Sequence, residues 1–412
     1  MDIFHERPSW LRRLNQFGPA TGDPRHIVPL DPGEMLATAR SSTGLVEVGD
    51  EDWLETYERR IRSIDLESKS NLLGRLLCRA ETIRLLQTRL RLCKAWANEP
   101  AILEEKIERP IFVLGAPRTG TTILLELLAL DRNLRAPISW EAQHPIPHGV
   151  AVDPESAMAL AEAEHEFWMD IQPELAALHE LRSDLPCECV HFMALEFGGP
   201  YFAMHYETPS YDQWAMSRPE ILPRTYRLHR NFLQTLQYGN ERKPWLLKSP
   251  AHLMTATALF AEYPDAIAVH THRDPQRFVG SAASTTAMLH WLRSDDLDPV
   301  VYGQLALGGF SYMLNHVMEQ RQAGELPNDQ FVDSQYLDLI DDPVAAIEKI
   351  YDRSGLDWPV GHSDRIHAYL RDKPKGKFGT HRYSLDEYGL NEESVANTYA
   401  AYVDYYGISR EP

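Results

Sequence analysis

Residues 110–125 read Pro-Ile-Phe-Val-Leu-Gly-Ala-Pro-Arg-Thr-Gly-Thr-Thr-Ile-Leu-Leu, and no other segment constrains the fold as tightly. The apolar run Ile111 to Leu114 suits a buried parallel strand. It ends in Gly115, and Gly120 follows five residues later, just before Thr121-Thr122 and the apolar face of a helix. That is the spacing of the G-x-x-x-x-G-K-[ST] loop, whose backbone N–H groups and helix N-terminus hold an anion. The lysine that spans the terminal phosphates of a nucleoside triphosphate is missing, and Thr121 stands in its place. Positive charge sits instead inside the loop, at Arg118. A cradle without that lysine calls for a phosphoryl-like group that does not belong to a nucleoside triphosphate.

Strand-then-helix patterning recurs downstream. Trp245 to Leu247 is a short apolar run leading into Lys248-Ser249-Pro250, with a helix expected from about His252. Ala266 to His272, Ala-Ile-Ala-Val-His-Thr-His, reads as another buried strand, followed by Arg273-Asp274-Pro275 and a helix carrying Ser281. A run from Leu134 to Ile138, ending in Ser139-Trp140-Glu141, reads as a further short strand. Such alternation predicts an α/β fold of the P-loop type, three layers with a central parallel sheet. Ligands in these sheets sit at the carboxyl ends of the strands. Gly115, Glu141, Lys248 and Arg273 each follow a predicted strand end, so the four are expected to converge.

Residues 1–105 read as an extension packed on this core. Within it, 1–48 look irregular, and Asp50 to Asn98 look helical with leucines on one face and arginines on the other. Residues 106–412 form the main domain, with a mostly helical insertion at about 150–242.

The formal charge of −19 opposes long-range attraction to nucleic acid, anionic membranes or polyanionic polysaccharides. No apolar stretch approaches the ~20 residues that span a bilayer. The first residues lack the basic-then-apolar pattern of a secretory signal, and four cysteines suit a reducing compartment, so a cytoplasmic protein is expected. Cys187-Glu188-Cys189 and the histidines at 144, 148, 165, 179, 191 and 205 show no metal-ligand spacing, so no metal site is expected. Oligomeric state is not legible, and a homo-oligomer is compatible with this chain.

Gly-x-Pro-Arg-Thr-Gly-Thr-Thr resembles the 5′-phosphosulfate loop of the sulfotransferases that use 3′-phosphoadenosine 5′-phosphosulfate (PAPS). Arg273 and Ser281, eight positions apart, are similar to the arginine and serine with which that family grips the 3′-phosphate. Phe331 to Pro343 is similar to its late strand, acidic turn and following helix. The three elements stand in the family's order.

The resemblance implies that Pro117, Arg118, Thr119, Gly120, Thr121 and Thr122 hold the 5′-phosphosulfate, and that Arg273 and Ser281 hold the 3′-phosphate, with Ser284 as a substitute. It implies that Lys248 neutralises the departing phosphate. The segment around Lys375, Gly376 and Lys377 resembles the late loop over the 3′-phosphate but departs from its Arg-Lys-Gly form; a solvated basic loop is the plain alternative. For the general base, Glu141 matches the strand-end glutamate of tyrosylprotein and heparan sulfate sulfotransferases, against an ion pair or helix cap as its plain role. His252 is the second choice, because cytosolic sulfotransferases place a histidine just after the lysine, although here Pro250-Ala251 intervene. His144 is a third. The aromatic stretch from Phe192 to Trp214 reads either as an acceptor pocket or as core.

The implied reaction is transfer of a sulfuryl group to a hydroxyl of a small or lipid-like acceptor by in-line displacement. A sulfuryl group carries less negative charge than a phosphoryl group, so no bridging metal is demanded. Two rivals stand beside this reading: a P-loop kinase, opposed by the missing lysine and magnesium-binding aspartate, and a catalytically silent nucleotide-binding scaffold.

Overall fold

The computed structural model describes residues 7–147, 153–178, 180–374, 377, 379 and 381–411; Lys375, Gly376, His148 and His179 lie outside them. Four short strands, β1 (Ile111–Gly115), β2 (Leu246–Lys248), β3 (Ile267–His272) and β4 (Phe331–Gln335), pair in the order β2-β1-β3-β4. Every pairing is parallel. The register sets Val113 beside Lys248, Gly115 beside Thr271 and His272 beside Gln335, so the carboxyl ends share one rim.

Strand side chains alternate between two hydrophobic clusters, as the two-residue pleat requires. Phe112, Leu114, Leu247 and Ala268 enter one cluster, with Phe192, Tyr226 and Phe278. Ile111, Val113, Leu246 and Val269 enter the other, with Leu124, Ile347, Ile350 and Ile366. The second cluster is roofed by the helices Thr121–Leu128, Pro343–Ser354 and His362–Asp372. Helices therefore cover both faces of a parallel sheet, the predicted three-layer arrangement. The first cluster also takes in Leu30, Trp53, Ile61 and Leu85, so residues of the N-terminal segment and of the sheet share one core.

Three expectations about local structure need correction. The first 48 residues are not irregular: among the described ones, Ser9–Ala20 and Pro32–Thr43 are helices. The second follows the usual start signal, Asp31 accepting from the Glu34 N–H at 2.7 Å with Pro32 in the first turn. Nor do all the arginines of the helix Leu72–Asn98 lie on a face away from the core. Arg75 and Arg89 are buried; Arg75 donates to the Val28 carbonyl at 2.7 Å, and Arg89 to the Leu195 carbonyl at 3.1 Å and the Glu196 carboxylate at 2.8 Å. A buried guanidinium is tolerable when carbonyls and carboxylates receive its protons. The run Leu134 to Ile138 makes two isolated bridges and no ladder, Arg135 to Trp245 parallel and Ile138 to Pro186 antiparallel. Pro137 has no N–H to extend a ladder, and Ser139 already opens the helix Ser139–Gln143.

Of the two readings of the aromatic stretch, core holds. Phe192 stacks on Phe232 at 4.5 Å, Phe197 on Trp53 at 5.8 Å, and Tyr201, Phe202, Tyr206 and Tyr211 are all buried. Among the described residues no helix is long and apolar enough to cross a membrane.

Candidate active site

The loop between β1 and the helix Thr121–Leu128 is shaped by three left-handed residues. Gly115 has φ 153°, and a Cβ there would lie 2.2 Å from Thr271 Oγ1. Gly120 has φ 96°, and its Cβ would lie 2.8 Å from the Tyr336 ring. Arg118, at φ 70°, holds a conformation that costs an L-residue on the order of 1–2 kcal/mol. Left-handed residues in such turns face successive N–H groups to one side, the form of an anion-binding concavity. Gly120 brings no side chain to cap the first turn of the helix.

Side chains within the loop divide their work. Thr119 is buried and its hydroxyl sits 2.7 Å from both the Ala116 carbonyl and Thr271 Oγ1, so it braces the loop. Thr121 is buried too. Arg118 Nε donates to Ser281 Oγ at 3.2 Å and Nη1 to the Leu178 carbonyl at 3.1 Å. Arg273 Nη1 donates to the Arg118 carbonyl at 2.9 Å. Arg118, Arg273 and Ser281 are thus one hydrogen-bonded group, although they come from three different segments.

The electrostatics of this group favour an anion. Burial and then the neighbouring charge of Arg273 hold Arg118 below its ordinary pKa. Among the described residues Arg118 has no carboxylate partner. Arg273 does have one: its Nε and Nη2 clasp both oxygens of Glu411, at 2.7 and 2.9 Å, while its guanidinium lies 4.0 Å over the Tyr336 ring. The Glu411 carboxylate occupies the planar fork in the way a phosphate edge does. Arg118, Gly120, Thr122, Arg273 and Tyr336 line a cleft of about 350 Å³, within the size range of small-molecule sites.

Lys248, at the end of β2, is 2% exposed. Its Nζ donates to Thr122 Oγ1 at 3.3 Å and forms an ion pair with the Glu188 carboxylate. Glu188 is the residue that the sequence reading missed. Its segment is fastened on both sides: the Cys187 N–H donates to the Pro137 carbonyl and the Cys189 N–H to the Lys248 carbonyl, each at 2.9 Å. No local spacing announces this, since it depends on two non-local backbone contacts.

The other expected site residues are more dispersed. Glu141 accepts from Arg135 Nη2 at 3.2 Å and from the Ile138 N–H at 3.3 Å, the ion pair and helix cap that form its plain role. His252 is fully buried, with Nδ1 2.7 Å from the Tyr226 hydroxyl and its ring edge-on to Phe112; burial pushes its pKa down to about 3. His144 pairs with Glu164 at 3.3 Å. Ser284 lies 2.9 Å from His381 Nε2. Pro117 belongs to the loop, and Lys377 lines the cleft and donates to the Asp372 carbonyl at 3.2 Å. Cys189, His229 and His252, all buried, bring ligand-type atoms within 4.8 Å of one another in the core, a grouping that spacing in the chain does not reveal.

Residues 110–360 match the sequence profile of the Sulfotransferase family. The omega-hydroxy-beta-dihydromenaquinone-9 sulfotransferase Stf3 of Mycobacterium bovis is 24% identical over 315 residues, 73% of this chain and 76% of that protein. Among solved structures, sulfotransferase STF9 from Mycobacterium avium superposes with a TM-score of 0.81 at 26% identity, covering 93% of this chain and 98% of that one. STF1 from Mycobacterium tuberculosis H37Rv gives 0.77 at 29% identity, covering 90% and 98%. A profile match over more than half the chain, on a fold that places its anion loop at the rim of a parallel sheet, makes this protein a member of the Sulfotransferase family.

Proposed function

We propose that the protein moves a sulfuryl group from PAPS, the donor its family implies, to the hydroxyl of a lipid-like alcohol. The observation that carries this reading is the direct contact between two anion grips, Arg273 Nη1 on the Arg118 carbonyl at 2.9 Å. A nucleotide with phosphates at both the 5′ and 3′ positions needs two such grips within reach of one molecule. In this reading Arg118, Thr122 and the loop N–H groups hold the 5′-phosphosulfate, and Arg273 and Ser281 hold the 3′-phosphate, displacing Glu411. Lys377 closes the cleft near the nucleotide, with Lys375 and Gly376 assigned by resemblance alone.

PAPS supplies an activated sulfur with a phosphate leaving group. Arg118 and the loop N–H groups orient that phosphate, so that attack is in line. Lys248, held 3.3 Å from Thr122 Oγ1, offsets charge building on the leaving oxygen. Two side-chain cations at that point supply the charge, so the reading invokes no metal. In this reading the acceptor proton passes to a carboxylate, Glu141 or the Glu188 that pairs with Lys248. A relative named for an omega-hydroxylated dihydromenaquinone and a charge of −19 support an uncharged lipid-like alcohol over a polyanionic polymer. Four free, buried cysteines fit a cytoplasmic enzyme.

A thermal-shift titration tests the donor. The product nucleotide, 3′-phosphoadenosine 5′-phosphate, should stabilise the protein by about 2.7 kcal/mol at 100 times its Kd, with ATP and AMP far weaker. Stabilisation by ATP with magnesium, and not by the bisphosphate, would move the assignment to a kinase. Binding without transfer from labelled PAPS to an omega-hydroxylated menaquinone or to water would leave only a nucleotide-binding scaffold.

A further inference from the structure

A buried imidazole that lacks a partner at one ring nitrogen strands a polar atom in the core. His229 and His252 are both fully buried, and each is held at Nδ1 only. His229 Nδ1 lies 2.7 Å from the Tyr263 hydroxyl, and His252 Nδ1 lies 2.7 Å from the Tyr226 hydroxyl. Nε2 of each ring has no hydrogen-bond partner. What lies beyond His252 fixes the direction of its bond. The Thr255 hydroxyl donates to the Ala251 carbonyl at 3.1 Å, so it accepts from the Tyr226 hydroxyl at 2.6 Å. Tyr226, its proton given, accepts from His252 Nδ1–H. The stranded Nε2 therefore carries a lone pair. Beside the edge-on ring of Phe112, that lone pair calls for a cation or a hydrogen donor.

Cys189 stands with these two rings, and one ligand-type atom from each of the three lies within 4.8 Å of the others. They come from separate segments: Cys189 beside Glu188, His229 in the helix Ile221–Gln237, and His252 in the helix Ala251–Met254 after β2. Spacing along the chain could not reveal them.

We infer that Cys189, His229 and His252 hold one copper(I) ion through Sγ and the two Nε2 atoms, apart from the sulfuryl transfer. Thiolate and imidazole are ligands that soft ions prefer. Charge then selects among those ions. The set contains one anion, so a monovalent ion gives a neutral group, whereas zinc would bury a positive charge. Two histidines and a cysteine also complete a trigonal copper arrangement, while a zinc site seeks a fourth ligand. On binding, the Cys189 S–H bond breaks, its proton leaves to solvent, and sulfur bonds to copper, which stays monovalent. Tyr226 and Tyr263 fix the tautomer and orientation of the rings, as outer partners of ligating histidines do. The Cys189 N–H donates to the Lys248 carbonyl at 2.9 Å, and His252 sits in the helix after Lys248, so the ion braces that lysine's backbone. The cluster of His270, His272 and Asp333 carries no such inference. There Arg321 already clasps both Asp333 oxygens, at 2.7 and 2.9 Å, and sets a cation where a metal would go.

The test is an anaerobic titration of the full chain with copper(I) buffered by bicinchoninate. It is run on the native protein and on chain refolded from urea with the ion present, since a closed core admits an ion most readily as it forms. One copper per chain should survive gel filtration, raise the thermal midpoint and give an X-ray absorption spectrum of mixed sulfur and nitrogen ligation. Cys189→Ser should abolish retention, while Cys187→Ser, on the far side of Glu188, should keep it. Tyr263→Phe spares every ligand and should weaken copper about 10- to 100-fold, the worth of an outer partner; it serves if the ligand variants fold poorly. The inference is overturned if neither preparation retains copper, which would leave a buried water as the occupant. It is equally overturned if zinc is retained in preference, or if Cys189→Ser binds as the parent does. None of these readouts involves sulfuryl transfer, so they stand or fall apart from the functional reading.

Discussion

The two ends of the rim carry positive charge in opposite ways. At one end Arg118 and Arg273 are crowded together; Arg118 is depressed by burial and then by its neighbour, and has no carboxylate among the described residues. At the other end Lys248 already has a matched counter-ion in Glu188. An excess of cation attracts an anion in the ground state and so yields affinity. A balanced ion pair offers a ligand little until a proton moves, so its contribution appears in the rate. On the proposed reading one strand rim holds a binding end and a transfer end, distinguished by whether the positive charge is already compensated.

Removing the transfer-end cation should break this comparison most visibly. Lys248→Met retains the volume of the stem but no charge. It should lower kcat by roughly 10²- to 10³-fold, as loss of a transition-state donor does, while leaving the Kd for 3′-phosphoadenosine 5′-phosphate within a few-fold. Initial rates and a binding titration on the same sample check both halves. Equal losses in rate and affinity would merge the two ends. A smaller effect should sharpen the binding end. Glu411→Gln removes the carboxylate that competes for Arg273, and should tighten the bisphosphate about threefold, the scale of a part-exposed ion pair. Weaker binding in that variant would mean that Glu411 assists the nucleotide.

Legibility in the sequence followed the range of the interactions. The β1 loop was readable because Gly115 and Gly120, five residues apart, both need a positive φ, a local demand to which the distant Thr271 and Tyr336 add a close approach. The cores of β2 and β3 were readable as continuous apolar runs, which is how a strand buried on both faces must look. The helix Pro32–Thr43 was missed although Asp31 and Pro32 announce it, because the proline and glycine around it were weighed as breakers. Arg75 and Arg89 were misplaced for a deeper reason. Their burial depends on Val28, Leu195 and Glu196, and nothing in their own helix foretells those acceptors. The same holds for Glu188 and for Glu411. Both find their cations only after distant segments meet, so a reading of local motifs identifies Lys248 and Arg273 and leaves their counter-ions unseen.

The claim beneath this account is that Arg118 and Arg273 grip opposite ends of one nucleotide. Calorimetric titration of the Arg273→Ala variant with 3′-phosphoadenosine 5′-phosphate and with AMP tests it most directly. The affinity for the bisphosphate should fall roughly 10- to 100-fold, the worth of charge-assisted hydrogen bonds, down to the level of AMP, whose own affinity should stay unchanged. An unchanged affinity for the bisphosphate, or an equal loss for both nucleotides, would contradict it.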